Sequence, residues 1–189
     1  MATADVVHDM GQSLHQVLRS NIDPSIVSEI QLSTPEQFEN LPDAGRTTLT
    51  IFLYRVSVNP DMRNSPRRVL QDGRTTRPPL PIELRYLITP WASTPASEYF
   101  MAGHVMRALY DHAELGPPYL VGSSWNPNDS VQVIFEALPI EDHTRIWDTV
   151  RKPYRLSLTY LVRIIGIDPD PAFAQNAPPI VNATFGARS

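Results

Sequence analysis

The chain of 189 residues contains no cysteine. Disulfides, thiolate zinc sites, iron–sulfur clusters and cysteine nucleophiles are therefore excluded, and folding needs no oxidising compartment. Lysine is nearly absent as well: Lys152 is the only one among 16 Lys and Arg residues. There is no excess of positive charge, since the formal net charge is −4, and this argues against a partner held by phosphate neutralisation, such as nucleic acid. No stretch approaches the ~20 apolar residues that a membrane helix requires. The opening MATADVVHDMGQSLHQVLRSN carries Asp5 and Asp9 and lacks the basic start and apolar core of a secretory signal. These absences predict a protein made in the cytoplasm without membrane insertion. Glycine is scarce beside proline, 8 against 19, which points to short elements with stiff connections and against a long helical bundle. At this length a single domain buries roughly 70% of its unfolded surface, enough for a true core.

What the chain does have is β-prone sequence. Thr47–Pro60, TTLTIFLYRVSVNP, predicts a long strand with Thr48, Thr50, Phe52, Tyr54, Val56 and Val58 on one face. Thr47, Leu49, Ile51, Leu53, Arg55 and Ser57 fall on the other, and both faces are apolar through the middle, as in a strand covered on two sides. Pro79–Pro90 predicts a second strand, Val131–Leu138 a shorter one and Tyr154–Ile167 a third long one; Ile26–Leu32 is a short candidate. Helical spacing of Val6, Val7, Met10, Leu14, Val17 and Leu18 predicts a helix over 4–20. Thr34–Leu41 reads as a single turn with Thr34 as cap and Pro35 first. A second helix is expected from Thr94 or Ser97 to His112, burying Tyr99, Gly103, Met106, Leu109 and Tyr110, and a third over Glu141–Val150. The sum is an α+β domain over 1–167 with a mainly antiparallel sheet of four or five strands and helices packed on it. Residues 168–189, with four prolines and no periodicity, read as an extended tail.

Candidate chemistry is sparse. His8 and His15 share a helix face near Asp5 and Asp9, but neither HxxxH nor HExxH spacing is present. Glu141, Asp142 and His143 are what the first turn of a helix commonly carries. Gly122-Ser123-Ser124-Trp125 lacks the GxSxG elbow of a hydrolase, and no phosphate-cradling glycine loop occurs. No catalytic residue, cofactor site or metal site emerges. The notable cluster is Arg63, Arg67, Arg68, Arg74 and Arg77 in the 60–79 segment, where Asp72-Gly73 signals a hairpin turn with Val69 and Leu70 near its tip. Guanidinium forks of this kind suit an acidic protein surface. In the tail, the run Ile180-Val181-Asn182-Ala183-Thr184-Phe185 suits strand addition to a sheet edge, with Ile180, Val181 and Phe185 as its apolar contacts.

Five segments in order carry a family resemblance: LTIFLYRVSVNPDMRN (49–64), RPPLPIELRYLITPWA (77–92), YFMAGHVMRALYDHAEL (99–115), IEDHTRIWDTV (140–150) and KPYRLSLTYLVRIIGI (152–167). They resemble a bacterial family, formerly a domain of unknown function, associated with the cap or tail-terminator protein of phage-tail-like contractile injection systems. The resemblance implies a non-enzymatic, hexameric ring at the distal end of the particle. Such a ring stops tube growth and ties the last sheath layer to the tube, so the implied partners are further copies, tube and sheath. A C-terminal addition with anchoring duties is expected to be missing. The competing readings are a tail-completion or baseplate adaptor, a small metal-dependent hydrolase built on His8 and His15, and a monomeric binding module.

Overall fold

Why these segments take up their structure is clearest at the N-terminus. In the computed structural model, which describes residues 3–42, 45–62, 66–70, 73–163, 166–173 and 175–176, helix α1 (Val6–Asn21) buries Val6, Met10, Leu14, Val17 and Leu18. That is the stripe the three- and four-residue spacing predicts. Strand β1 (Glu29–Leu32) starts later than Ile26 because Ile26 and Val27 close a turn onto the Asp23 carbonyl at 2.9 and 3.1 Å. A 3₁₀ turn, Pro35–Asn40, follows; the Gln37 side chain accepts from the Thr34 N–H at 2.9 Å, and Phe38 is buried.

The remaining elements are β2 (Thr48–Val58), β3 (Arg68–Val69), β4 (Arg74–Thr76), β5 (Ile82–Trp91), α2 (Pro95–Asp111), β6 (Glu114–Leu115), β7 (Val131–Phe135), α3 (Ile140–Val150), β8 (Leu158–Arg163) and β9 (Gln175–Asn176). The main sheet has six strands in the order β1-β2-β5-β8-β7-β6, all antiparallel except β1 with β2. The architecture is α+β, but the strand count exceeds the expected four or five. The addition is the two-residue β6 at one sheet edge, too short to leave a period in the sequence; at the other edge β1 answers to the short candidate Ile26–Leu32. Among the described residues, regular pairing in the third long strand covers Leu158–Arg163 and does not begin at Tyr154, and Ile167 bridges Leu80.

The sheet carries apolar side chains on both faces. One face packs under α1 and α2, joining Leu14 and Val105 to Leu49, Leu84, Tyr86, Tyr160 and Val162. The other packs Leu87 and Trp91 against Phe38 of the 3₁₀ turn and Trp147 of α3. The expected double covering of β2 holds only for its first half: Arg55, Val56 and Val58 are exposed. The predicted alternation also breaks. Pairing runs from Leu53↔Tyr86 directly to Arg55↔Arg85, so Tyr54 is the extra residue of a bulge. Beyond it every side chain changes face, and Arg55 and Ser57 end on the side of Phe52 rather than of Leu53. Pro90, the last residue of the predicted strand, lies inside β5, which runs on to Trp91. Strand β8 has already stopped opposite Ile88, so one side of β5 asks for no N–H there.

Helix α2 overturns an expectation. It starts on Thr94, whose hydroxyl accepts from Ser97 N–H at 3.2 Å. Its buried residues are Glu98, Met101, Ala102, Val105, Ala108 and Leu109. Of the predicted stripe only Leu109 points inward; Tyr99, Met106 and Tyr110 are exposed. The helix is apolar on two sides, and the side rich in alanine lies closest to the sheet because small side chains let the backbones approach.

Candidate interaction surfaces

The arginine-bearing segment forms the predicted hairpin. β3 pairs β4 with Arg68 opposite Thr76 and Val69 opposite Thr75, and Gly73, at φ 79°, makes the turn with its N–H on Leu70 O at 3.0 Å. By register Arg68 and Arg74 share one face, with Val69 and Thr75 on the other. Arg67, Arg68, Arg74 and Arg77 are all exposed. The third strand has no local signal: β9, from the 168–189 segment, pairs with β4 as Thr75↔Gln175 and Arg74↔Asn176. The arginine segment and the start of the tail thus form one small sheet, β3-β4-β9. Arg63, Ile180, Val181 and Phe185 lie outside the described residues.

The titratable residues weighed as chemistry have structural partners. His15 Nε2 lies 3.0 Å from Ile30 O, whereas His8 Nδ1 lies 3.1 Å from Asp9 Oδ1, so the two rings serve different neighbours. Among the described residues no three His, Asp or Glu side chains gather as metal ligands. Ser157 Oγ lies 3.1 Å from His143 Nε2, but it also accepts from Trp147 Nε1 at 3.0 Å, and the other ring nitrogen of His143 faces Tyr154 Oη rather than a carboxylate. Burial lowers the His143 pKa, favouring a neutral ring that positions Ser157. On the same sheet face Arg85 bridges Glu136 at 3.1 Å and Glu83 at 3.4 Å, and Arg163 adds a contact to Glu83 at 3.6 Å. Tyr54 Oη donates to Glu136 at 3.4 Å; burial, then the Glu136 charge, push its pKa up to about 12. These carboxylates are clamped by guanidinium groups.

The Gly122-Ser123-Ser124 run proves to be a clamp. Ser124 donates to Asp9 Oδ2 from its N–H at 3.1 Å and its hydroxyl at 2.6 Å, while Val121 N–H donates to Ser13 Oγ at 2.9 Å. Burial works to raise the Asp9 pKa, but hydrogen bonds from the Ser124 side chain, His8 and the Ser124 backbone outweigh it, and the net direction is down. A carboxyl lowered in the folded state stabilises fully above its unfolded value, about 3.9, and loses that contribution as pH falls through the lower native value. Asp9→Asn is therefore expected to cost about 1–3 kcal/mol at pH 7, with the gap to wild type narrowing at pH 3. Urea midpoints at the two pH values measure this; a gap independent of pH would contradict the assignment.

A second exposed surface is apolar. On α2, Tyr99, Phe100, Met106 and Tyr110 are 64%, 59%, 44% and 83% exposed. Beside Met106 and Tyr110, Ile134 and Phe135 of β7 are 38% and 47% exposed. A groove of about 650 Å³ runs between the two elements, floored by Leu109, Val133 and Tyr160. Contiguous aromatic exposure of this kind marks an interaction site.

A sequence model of the Pvc16 N-terminal domain matches residues 9–182. The chain belongs to that family. Comparison with curated proteins gives no match. Among solved structures the fold is similar to the sheath/tube terminator, in its extended state, of PVC, an extracellular contractile injection system. The TM-score is 0.66 at 22% identity, over 100% of this chain and 66% of that one. It is also similar to the tube-terminating cap of the anti-feeding prophage, at TM-score 0.60 and 16% identity, over 94% of this chain and 60% of that one. The chain thus spans less than two thirds of each, and at these identities the likeness is one of fold. Among the described residues no helix is long and apolar enough to cross a membrane.

Proposed function

We propose that this protein is the structural cap of a contractile injection particle, a hexameric ring that ends the inner tube and anchors the last sheath layer. The observation that carries this reading is the family match over residues 9–182, joined to a terminator fold that aligns over the whole chain. Physical considerations agree. A growing tube exposes interface surface at its end, and a terminator must cover it without presenting a copy of it onward. A heterologous contact whose rotation closes gives a ring. The protein acts without catalysis, holding other copies, tube and sheath. The contact elements are the hairpin with Arg63, Arg67, Arg68, Arg74 and Arg77, and the tail with Ile180, Val181 and Phe185.

The test is particle length. Removing the protein is expected to give tubes of uncontrolled length with sheaths that detach at one end, seen by electron microscopy. Separate deletions of 60–79 and 168–189 are expected to reproduce part of that defect. Particles of normal length and intact contraction without the protein would reject the role.

A further inference from the structure

Helix α2 has two apolar sides, and its own sheet uses one. The spacing that marks Tyr99, Met106 and Tyr110 for burial is a property of the sequence, yet this side faces outward in the single chain. A helix apolar on both sides is covered on both sides in its working state. The groove next to it is bounded by β7, whose outer edge is only partly used. β6 pairs with Val131 and Gln132, and Val133 N–H donates to Ala113 O at 2.8 Å. From Ile134 onward that edge has no strand beside it among the described residues, and an open, apolar strand edge is a template for one more strand.

The path of the tail identifies the occupant. Ile167 sits beside Leu80, then Gln175 beside Thr75, then Asn176 beside Arg74. Along these pairings the tail steps backwards down the hairpin, away from the main sheet and towards the hairpin's turn. At Asn176 the chain runs towards the hairpin's turn, with the thirteen residues 177–189 following, a reach of roughly 40 Å if extended. Within them Val181, Ala183 and Phe185 alternate with Ile180, Asn182 and Thr184, a pattern that gives a strand one apolar face.

We propose that residues Ile180–Phe185 of one copy add a strand to the outer edge of β7 in a neighbouring copy. Val181, Ala183 and Phe185 face the groove, against Met106 and Tyr110. The contact uses a different patch on each partner, so it is heterologous. It rests on the ring reading in one respect, that copies lie side by side.

The natural absence of cysteine makes the test clean. Chains carrying Ile134→Cys and chains carrying Asn182→Cys are purified separately, mixed at equal concentration and treated with a short bismaleimide. The expected product is a covalent heterodimer, absent from a control mixture of Ser25→Cys with Asn182→Cys. Tyr110→Ser and Phe185→Ser are each expected to weaken self-association at least tenfold by sedimentation velocity, with unchanged circular dichroism. Three results overturn the proposal: no heterodimer above control, unchanged association in both serine variants, or a double-cysteine chain that links only within itself when diluted in unlabelled protein. Heterodimers without closed rings by mass photometry would keep the contact and remove the ring. Closed rings without heterodimers would do the reverse.

Discussion

Gly122→Ala is expected to destabilise the protein by about 4 kcal/mol, lowering the urea midpoint by roughly 2 M. Two independent causes act together. The residue has φ +101°, a conformation that L side chains rarely adopt. A Cβ built there would also lie 2.1 Å from Asp9 Cγ and within 2.5 Å of both carboxylate oxygens. Neither neighbour can step aside cheaply. The Asp9 carboxylate is held by Ser124 N–H and hydroxyl, and the loop is tied down by Val121 N–H on Ser13 and by Trp125 Nε1 on Val121 O at 2.9 Å. Moving the loop strands a buried carboxylate; moving the carboxylate strands two donors. Gly103→Ala supplies the opposite sign in the same assay. Its Cβ meets nothing within 4 Å on an ordinary helical turn, so it is expected to stabilise by about 0.5–1 kcal/mol. A Gly122→Ala protein with the wild-type midpoint would show that the clamp is not closed in solution.

That clamp also shows where reading the sequence stops. Gly122-Ser123-Ser124 could be tested against a hydrolase elbow, because an elbow is a local pattern. It could not be matched to Asp9, because the bond joins residues 115 positions apart. The same limit explains β9, whose partner β4 is about a hundred residues upstream, and the parallel pairing of β1, a strand marked in the sequence at Ile26–Leu32 but without its partner. Local features were legible. The α1 stripe, the Thr34 turn, the Asp72-Gly73 hairpin signal and all three helices correspond to elements in the structure. Periodicity finds apolar faces, but it does not rank them. On α2 it found the outer face and took it for the inner one, since large aromatic rings offer more surface to bury than alanine does. On β2 it assumed an unbroken two-residue repeat, and a single bulge at Tyr54 reversed the faces beyond it. Of the candidate contact residues, the arginines were legible as a hairpin. The aromatic groove was not, because an exposed apolar face in one chain has the composition of a core.

Trp91→Ala is expected to cost about 3–5 kcal/mol and to lower the melting temperature by roughly 10 °C in a chain of this size. Trp91 is fully buried at the end of β5, with Phe38 at 5.3 Å and Trp147 at 6.0 Å between ring centroids. The Arg155 guanidinium lies 5.1 Å over the Trp91 ring and is ion-paired to Glu98, and Trp91 Nε1 donates to Thr50 Oγ1 at 2.9 Å. One side chain therefore joins the sheet to the 3₁₀ turn and α3 while bracing the first turn of α2 through Arg155. Trp91→Phe separates the contributions: most of the ring packing stays, the N–H donor goes, and about 1–2 kcal/mol should be lost. Paired thermal melts and near-ultraviolet circular dichroism measure both variants. If alanine and phenylalanine cost the same, the hydrogen bond to Thr50 rather than the aromatic cluster holds this side of the sheet. If the alanine variant loses less than about 1 kcal/mol, α3 is anchored by contacts other than these rings. With the expected order, the α3 layer depends on Trp91. The α2 groove lies on the opposite face of the sheet, so groove variants and Trp91 variants should add independently in stability.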